Sequence, residues 1–253
     1  MEAYKSFIEK TLNEAKQLID ERIQEFTVET KANANDLVTN VDRLVEAYFV
    51  NQIQLNFPKD HIIGEEGMAS PPKDLSGTVW IIDPIDGTMN FVHQQKHFAI
   101  SIGVLVDGKP VLGYVLDVHE NDLYSAEAGK GARLNGTLLK KKQSTPLNEA
   151  VIAFDHSFFD LQPSINDIRS KVRGIRMMGV GAIELAYVAA GKLDGFVTAK
   201  INPWDYAGAA VLVQETDVEL TQLSGEPLNY VNQSDLWCGN VQNKEQLWKK
   251  TSL

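Results

Sequence analysis

At 253 residues, with 43% apolar and 23% charged residues, the chain is long enough for one large domain or two small ones with a real core. Its net charge of -10 argues against a nucleic-acid partner, because a phosphate backbone is gripped by clustered Lys and Arg. No stretch approaches the ~18 apolar residues of a membrane span, no leader is read ahead of the first helix, and the single cysteine, Cys238, fits a reducing, cytoplasmic setting.

Ile8, Leu12, Ala15, Ile19, Ile23 and Phe26 recur at three- and four-residue steps, opposite Lys5, Glu9, Asn13 and Lys16. That spacing predicts an amphipathic first helix, and its mixed-charge polar face favours packing on the protein over a membrane surface. Residues 29–40 are polar and rich in turn formers, a loop or loose hairpin. A helix follows over 41–49, with Thr39 or Asn40 as cap. Ile62-Ile63-Gly64-Glu65-Glu66-Gly67 reads as a short strand entering a turn that carries two acids, and 68–77, with Pro71-Pro72, as surface loop.

The centre of the chain is the apolar run Val79-Trp80-Ile81-Ile82 leading into Asp83-Pro84-Ile85-Asp86-Gly87-Thr88. The run predicts a buried strand, ended by Pro84, which has no N–H for a ladder. Gly87 permits a tight turn and Thr88 can cap a following helix. Two carboxylates on one elbow repel and raise each other's pKa unless a cation neutralises them. Backbone N–H groups at a helix start attract phosphate. Acid pair and phosphate cradle together point to a divalent metal bridging the protein and a phosphoryl group.

Stretches 98–106, 111–118 and 123–126 form an antiparallel meander, with Gly129, Gly131 and Gly136 marking turns. The solvated run Lys140-Lys141-Lys142 and Pro146 suggest a boundary, dividing the chain into an N-terminal α+β half, 1–143, and a C-terminal α/β half, 144–253. In the second half, short strands at 151–154 and 195–198 alternate with helices. One helix covers 181–191 with Gly191 at its end; another covers 206–214, with Asp205 at its N-terminus, where the macrodipole favours a carboxylate.

Other readings of the acids are open on the residues alone. The Asp-Gly-Thr elbow is also found in haloacid-dehalogenase-type phosphatases, but with one residue between the acids; here Pro84 and Ile85 make two. Gly179-Val180-Gly181 lacks the third glycine of a dinucleotide fingerprint, and His93 and His97 lack a third zinc ligand. A metal- or phosphometabolite-binding protein without turnover is the non-enzymatic alternative.

Taken together, Gly64-Glu65-Glu66, the segment from Trp80 through Asp83, Asp86 and Thr88 to Phe91, and Pro203-Trp204-Asp205-Tyr206-Ala207-Gly208 resemble the inositol monophosphatase family. The resemblance extends to Asp36, Thr39 and Asp42 near the start and to Gly129 through Gly136 mid-chain, so it covers nearly the whole chain. It implies a layered αβαβα sandwich of the sugar-phosphatase type, its active site between the two halves, acting as a Mg-dependent, lithium-sensitive phosphomonoesterase with two or three Mg2+ per site.

By that resemblance, Glu65, Asp83 and the Ile85 carbonyl would hold one ion and Asp83, Asp86 and Asp205 a second, with Glu65 and solvent holding a third. Thr88, held by Asp42, would orient the attacking water with Glu65, while Gly87 and Thr88 N–H groups hold the phosphate. Gly179, Val180 and Gly181 would lie near the alcohol portion, and Lys31 on a mobile loop that closes on metal binding. Many inositol phosphatases carry a Glu where this chain has Thr198. Thr198 and Lys200 are therefore candidate selectivity residues. Inositol 1-phosphate is the first substrate expected, NADP 2′-phosphate or a sugar phosphate the alternative. A homodimer is implied by the resemblance only.

Overall fold

Hydrophobic alternation in the central strand sets the layers. The protein's structure is a computed structural model that describes residues 1–31, 37–161 and 164–248. Asp36 and the rest of 32–36 in the expected hairpin lie outside the described residues. In chain order the elements are α1 (Glu2–Arg22), β1 (Val28–Thr30), β2 (Leu37–Thr39), α2 (Asn40–Asn56), β3 (His61–Gly64), β4 (Thr78–Asp86), α3 (Thr88–Gln94), β5 (Ala99–Val106), β6 (Lys109–Asp117), β7 (Asp122–Glu127), β8 (Gly131–Leu134) and β9 (Thr137–Leu138). After these come β10 (Val151–Phe154), α4 (Ile165–Lys171), β11 (Gly174–Arg176), α5 (Gly181–Ala189), β12 (Gly195–Ile201), α6 (Pro203–Glu215), β13 (Leu220–Thr221) and β14 (Ser234–Gly239).

Strands β3 to β9 form one sheet in sequence order; β11-β10-β12-β14-β13 form a second, and β1 pairs with β2 as a short hairpin. Along β4, Trp80 and Ile82 face α1 and α2, packing on Ile8, Leu12, Val45 and Phe49. Val79 and Ile81 face the other way, against Ala207 of α6. Period-two alternation therefore turns Asp83 toward α6 as well. Helices α5 and α6 lie between the sheets, Ile183, Leu185, Ala209 and Leu212 sharing a core with Val115 and Tyr124 on one side and Phe196 and Leu236 on the other. Outside the second sheet, Ile168 of α4 and Phe158 of a 3-10 turn cover Ile152, Phe154 and Trp237. This is the αβαβα sandwich expected.

Contact between α6 and the first sheet is unusually close. A Cβ at Gly208 would lie 2.5 Å from Ser101 Oγ and 2.6 Å from the Tyr114 carbonyl oxygen, and one at Gly103 2.7 Å from Ala207. A Cβ at Gly113 would overlap the Gly208 carbonyl. Ser101, the β5 partner of Asp83, donates its hydroxyl to the Trp204 carbonyl at 3.0 Å, which fixes the start of α6 beside the end of β4.

Two local expectations need correction. Pro84 does not end β4: the ladder resumes at Asp86, with one extra residue between Asp83 and Asp86 relative to β5. The bulge falls where Pro84 has no N–H to contribute, so the strand continues through it. Thr88 is not a cap; Gly87, in the left-handed region at φ 89, occupies that position and Thr88 is the first residue of α3. Among the described residues no helix is long and apolar enough to cross a membrane.

Candidate active site

Three carboxylates from distant parts of the chain meet where β4 ends. Oxygen atoms of Asp83, Asp86 and Asp205 all lie within 4.8 Å of one another. Asp83 is 1% exposed, and its Oδ1 accepts from the Ile85 N–H at 3.0 Å. The bulge turns Asp86 so that its Oδ2 accepts from the Ala182 N–H, 2.6 Å away, in the first turn of α5. Asp205, in the first turn of α6, accepts from the Asn202 N–H at 2.9 Å. Two helix N-termini thus steady two of the acids.

Burial, then repulsion from Glu65, Asp86 and Asp205, pushes the Asp83 pKa well up, and burial with the charge of Asp205 does the same to Asp86. Burial raises Asp205 to about 6, partly offset by its bond from Asn202. Glu65 is raised to about 7 by burial, with Lys31 opposing and Asp205 adding to the rise. Crowded, buried groups with oxygen-only donors suit a hard divalent cation, which would keep them ionised at neutral pH.

Lys31 Nζ lies 2.9 Å from Glu65 and 2.6 Å from Glu66. Burial opposes its charge, but the two carboxylates outweigh it and its pKa rises. Behind this turn Glu46, fully buried, accepts from the N–H groups of Glu66 and Met68 at 2.7 and 2.8 Å. The turn presenting Glu65 is therefore clamped to α2.

The elbow continues into Thr88. Its hydroxyl lies 3.1 Å from Asp42 Oδ1 and 3.0 Å from the Ile85 carbonyl. Asp42, 1% exposed, also accepts from Thr39 through the backbone N–H and the hydroxyl, a reciprocal cap that anchors α2 beside the elbow. At Gly87 a Cβ would sit 2.7 Å from Val180, so the positive φ and the packing both require glycine. Asn90 donates to the carbonyls of His97 and Met178, tying α3 to the segment before α5.

Two cavities border the cluster. One of about 480 Å³ is lined by Glu65, Gly87, Thr88, Asn90, Asp155, Gly179 and neighbours, including Leu37. A smaller one of about 140 Å³ is lined by Asp86, Gly179, Val180, Gly181, Thr198, Lys200, Asp205, and again Asp155. Each is lined by residues at or just after strand ends of the first sheet and by residues at or just after strand ends of the second. Gly179, Val180 and Gly181 line the smaller cavity together with Asp86 and Asp205, and a Cβ at Gly181 would be 3.6 Å from Asp205 Cβ.

Thr198 departs from the expectation. It is 1% exposed, and its hydroxyl is engaged with chain groups: the Lys200 carbonyl at 2.9 Å, the Lys200 N–H at 3.1 Å and Ser157 Oγ at 3.1 Å. It organises an irregular turn in β12 and has no hydroxyl capacity left for a ligand. Lys200 is exposed and pairs loosely with Asp160, at 3.6 Å.

Sequence reasoning missed Glu46, Asn90, Asp155 and Glu184. Glu184 is 1% exposed; it accepts from Met178 N–H at 2.9 Å, and burial raises it to about 8. It holds the loop that lines both cavities. A signal existed for two of these residues: Glu184 is the lone charge in an apolar helix, and Asp155 follows an apolar run just as Asp83 does.

Comparison with known proteins agrees with this geometry. The chain matches the inositol monophosphatase family over residues 1–252. It is 42% identical over 237 residues to the inositol-1-monophosphatase of Bacillus subtilis (strain 168), covering 91% of this chain and 89% of that one. The crystal structure of inositol monophosphate bound SaIMPase-II aligns with a TM-score of 0.83 at 34% identity, over 94% of this chain and 89% of that chain. An IMPase/NADP phosphatase complexed with Mg2+ and phosphate aligns with a TM-score of 0.88 at 28% identity, over 96% and 92%. With its acids converging as the sequence motifs require, the chain belongs to the inositol monophosphatase family and is a phosphoric monoester hydrolase.

Proposed function

We propose that the chain hydrolyses a small phosphate monoester, inositol 1-phosphate first, with magnesium as its cofactor. The observation that carries the metal dependence is the convergence of Asp83, Asp86 and Asp205 within 4.8 Å beside a cavity lined by Glu65 and Thr88. In our reading, Glu65, Asp83 and the Ile85 carbonyl would hold one ion, Asp83, Asp86 and Asp205 a second, and Glu65 with solvent a third. Magnesium held there would acidify a water toward neutral pH and stabilise charge on the phosphoryl and leaving oxygens.

The chain's own groups do the positioning. The Thr88 proton is taken up between the Asp42 carboxylate and the Ile85 carbonyl, leaving the hydroxyl lone pairs to accept from a water on the phosphate side. Glu65 accepts that water's other proton. The N–H groups of Gly87 and Thr88 point a partial positive charge at the phosphate. Gly179, Val180 and Gly181 border the alcohol. Lys31, which bridges Glu65 and Glu66, is assigned to a loop that closes when metal binds.

The bound ligand of SaIMPase-II supports inositol phosphate as the substrate. The name of the NADP phosphatase relative, and a threonine where the resemblance expects glutamate, keep NADP or a sugar phosphate as the alternative. We assign the halves 1–143 and 144–253, a homodimer, no nucleic-acid partner and a cytoplasmic location as parts of the same reading. The test is phosphate release from inositol 1-phosphate, NADP and fructose 1,6-bisphosphate with magnesium, with chelator and with lithium. Turnover should require magnesium and fall with lithium. Full activity after exhaustive chelation would reject the proposal.

A further inference from the structure

Asp155 has no part in the hydrolytic roles above, yet it lines both cavities beside the acid cluster. It follows β10, which runs parallel to both β11 and β12. The carboxyl ends of such strands are where open α/β sheets present ligand-binding groups. Its backbone N–H donates to the Val197 carbonyl at 3.1 Å. Its Oδ1 accepts from the Ser157 N–H at 2.8 Å and faces the Thr198 hydroxyl at 3.4 Å. One oxygen is therefore fixed by the chain. The other, Oδ2, meets the exposed His156 Nδ1 at 3.2 Å, its one hydrogen-bond partner among the described residues.

The side chain is 24% exposed, enough to meet a ligand while its direction stays set. Its negative charge adds to the raised pKa values of both Asp205 and Glu184, which border the smaller cavity. Thr198, the residue that the sequence offers for selectivity, spends its hydroxyl on Lys200 and on this aspartate's surroundings.

We propose that Asp155 accepts hydrogen bonds from hydroxyls of the substrate's alcohol portion and thereby selects neutral polyol monophosphates over esters whose alcohol carries another anionic group. A carboxylate is an acceptor-only group, so adjacent hydroxyls satisfy it and a second phosphate is repelled by it. Selectivity then arises from attraction to one class and repulsion of the other. The inference rests on the proposed hydrolysis of a small phosphate ester.

The test measures kcat/KM, with magnesium, for inositol 1-phosphate, NADP and 4-nitrophenyl phosphate, whose alcohol bears no hydroxyl. Wild type is compared with Asp155→Asn, which retains an acceptor for the Ser157 N–H, and with Asp155→Glu, which retains the charge. In Asp155→Asn, the ratio for inositol 1-phosphate over 4-nitrophenyl phosphate should fall about tenfold, mainly through KM, as loss of a charged acceptor requires. The ratio for NADP over inositol 1-phosphate should rise. Asp155→Glu should keep the discrimination against NADP. A common factor across all three substrates, or a wild-type preference for NADP, would overturn the role of Asp155. Failure of wild type to release phosphate from any of them would instead reject the phosphatase substrate reading.

Discussion

Replacing Asp205 by Asn changes one atom in a crowded set of carboxylates. The amide oxygen can still accept from the Asn202 N–H, so the start of α6 keeps its bond. Removal of one buried charge also relieves repulsion among Asp83, Asp86 and Glu65. The metal-free variant should therefore melt no lower than wild type, while kcat falls on the order of 10²-fold or more, since even an outer-shell partner of a metal site is worth ~10–100-fold. Near-normal turnover would remove Asp205 from the site. Residues of this kind were legible because their neighbours announce them: Asp83 and Asp86 straddle a proline at the end of an apolar run, and Asp205 opens a helix. Glu46 and Asn90 were not legible, because their partners are backbone groups distant in sequence, and nothing local marks those contacts.

At the scale of elements, the seat of α6 decides whether the acids meet. Gly208 lies against Ser101 and the Tyr114 carbonyl, and Gly113 against the Gly208 carbonyl. Gly208→Ala should cost about 1–3 kcal/mol by overpacking, a melting-point drop of several degrees for a chain of this size. It should also weaken magnesium binding, because the helix that carries Asp205 is pushed off the strand that pairs with β4. Unchanged metal affinity at a lowered melting point would separate the seat from the site. Helix α1 was readable from its periodicity, and α2, α5, α6 and strands β4 to β7 from apolar runs with their bounding cap and turn residues. Strands β8, β9, β11 and β13 have two to four residues each and lack the unbroken apolar run that marks β10, which is no longer than β8. β14 is longer, but its polar start, Ser234-Asp235, hides its pairing with β12. Pro84 misled because a bulge absorbs its missing donor.

For the whole molecule, the raised carboxylates couple stability to pH. A carboxyl whose folded pKa exceeds its unfolded value binds protons more tightly in the native state, so stability is lost as pH rises between the two values. With Asp205 at about 6, Glu65 at about 7 and Glu184 at about 8, that window runs from the ordinary carboxylate range to about 8. Chelated protein should thus melt lower at about pH 7.5 than at about pH 5.5 by this contribution, and magnesium should raise the melting point more at the higher pH. Equal magnesium shifts at both values would count against carboxylate ligation.

At Gly103 and Gly208, helix α6 meets β5 and β6 through main-chain atoms, an alanine methyl and a serine hydroxyl. Such a joint has one short side chain to turn and no long stem to bend. It works as a mechanical stop that sets the gap between the two supports of the acid cluster. Heat, ligand or sequence drift elsewhere can alter what approaches that gap, but the gap itself is cast into the frame, and adaptation to new esters falls to the loops around it.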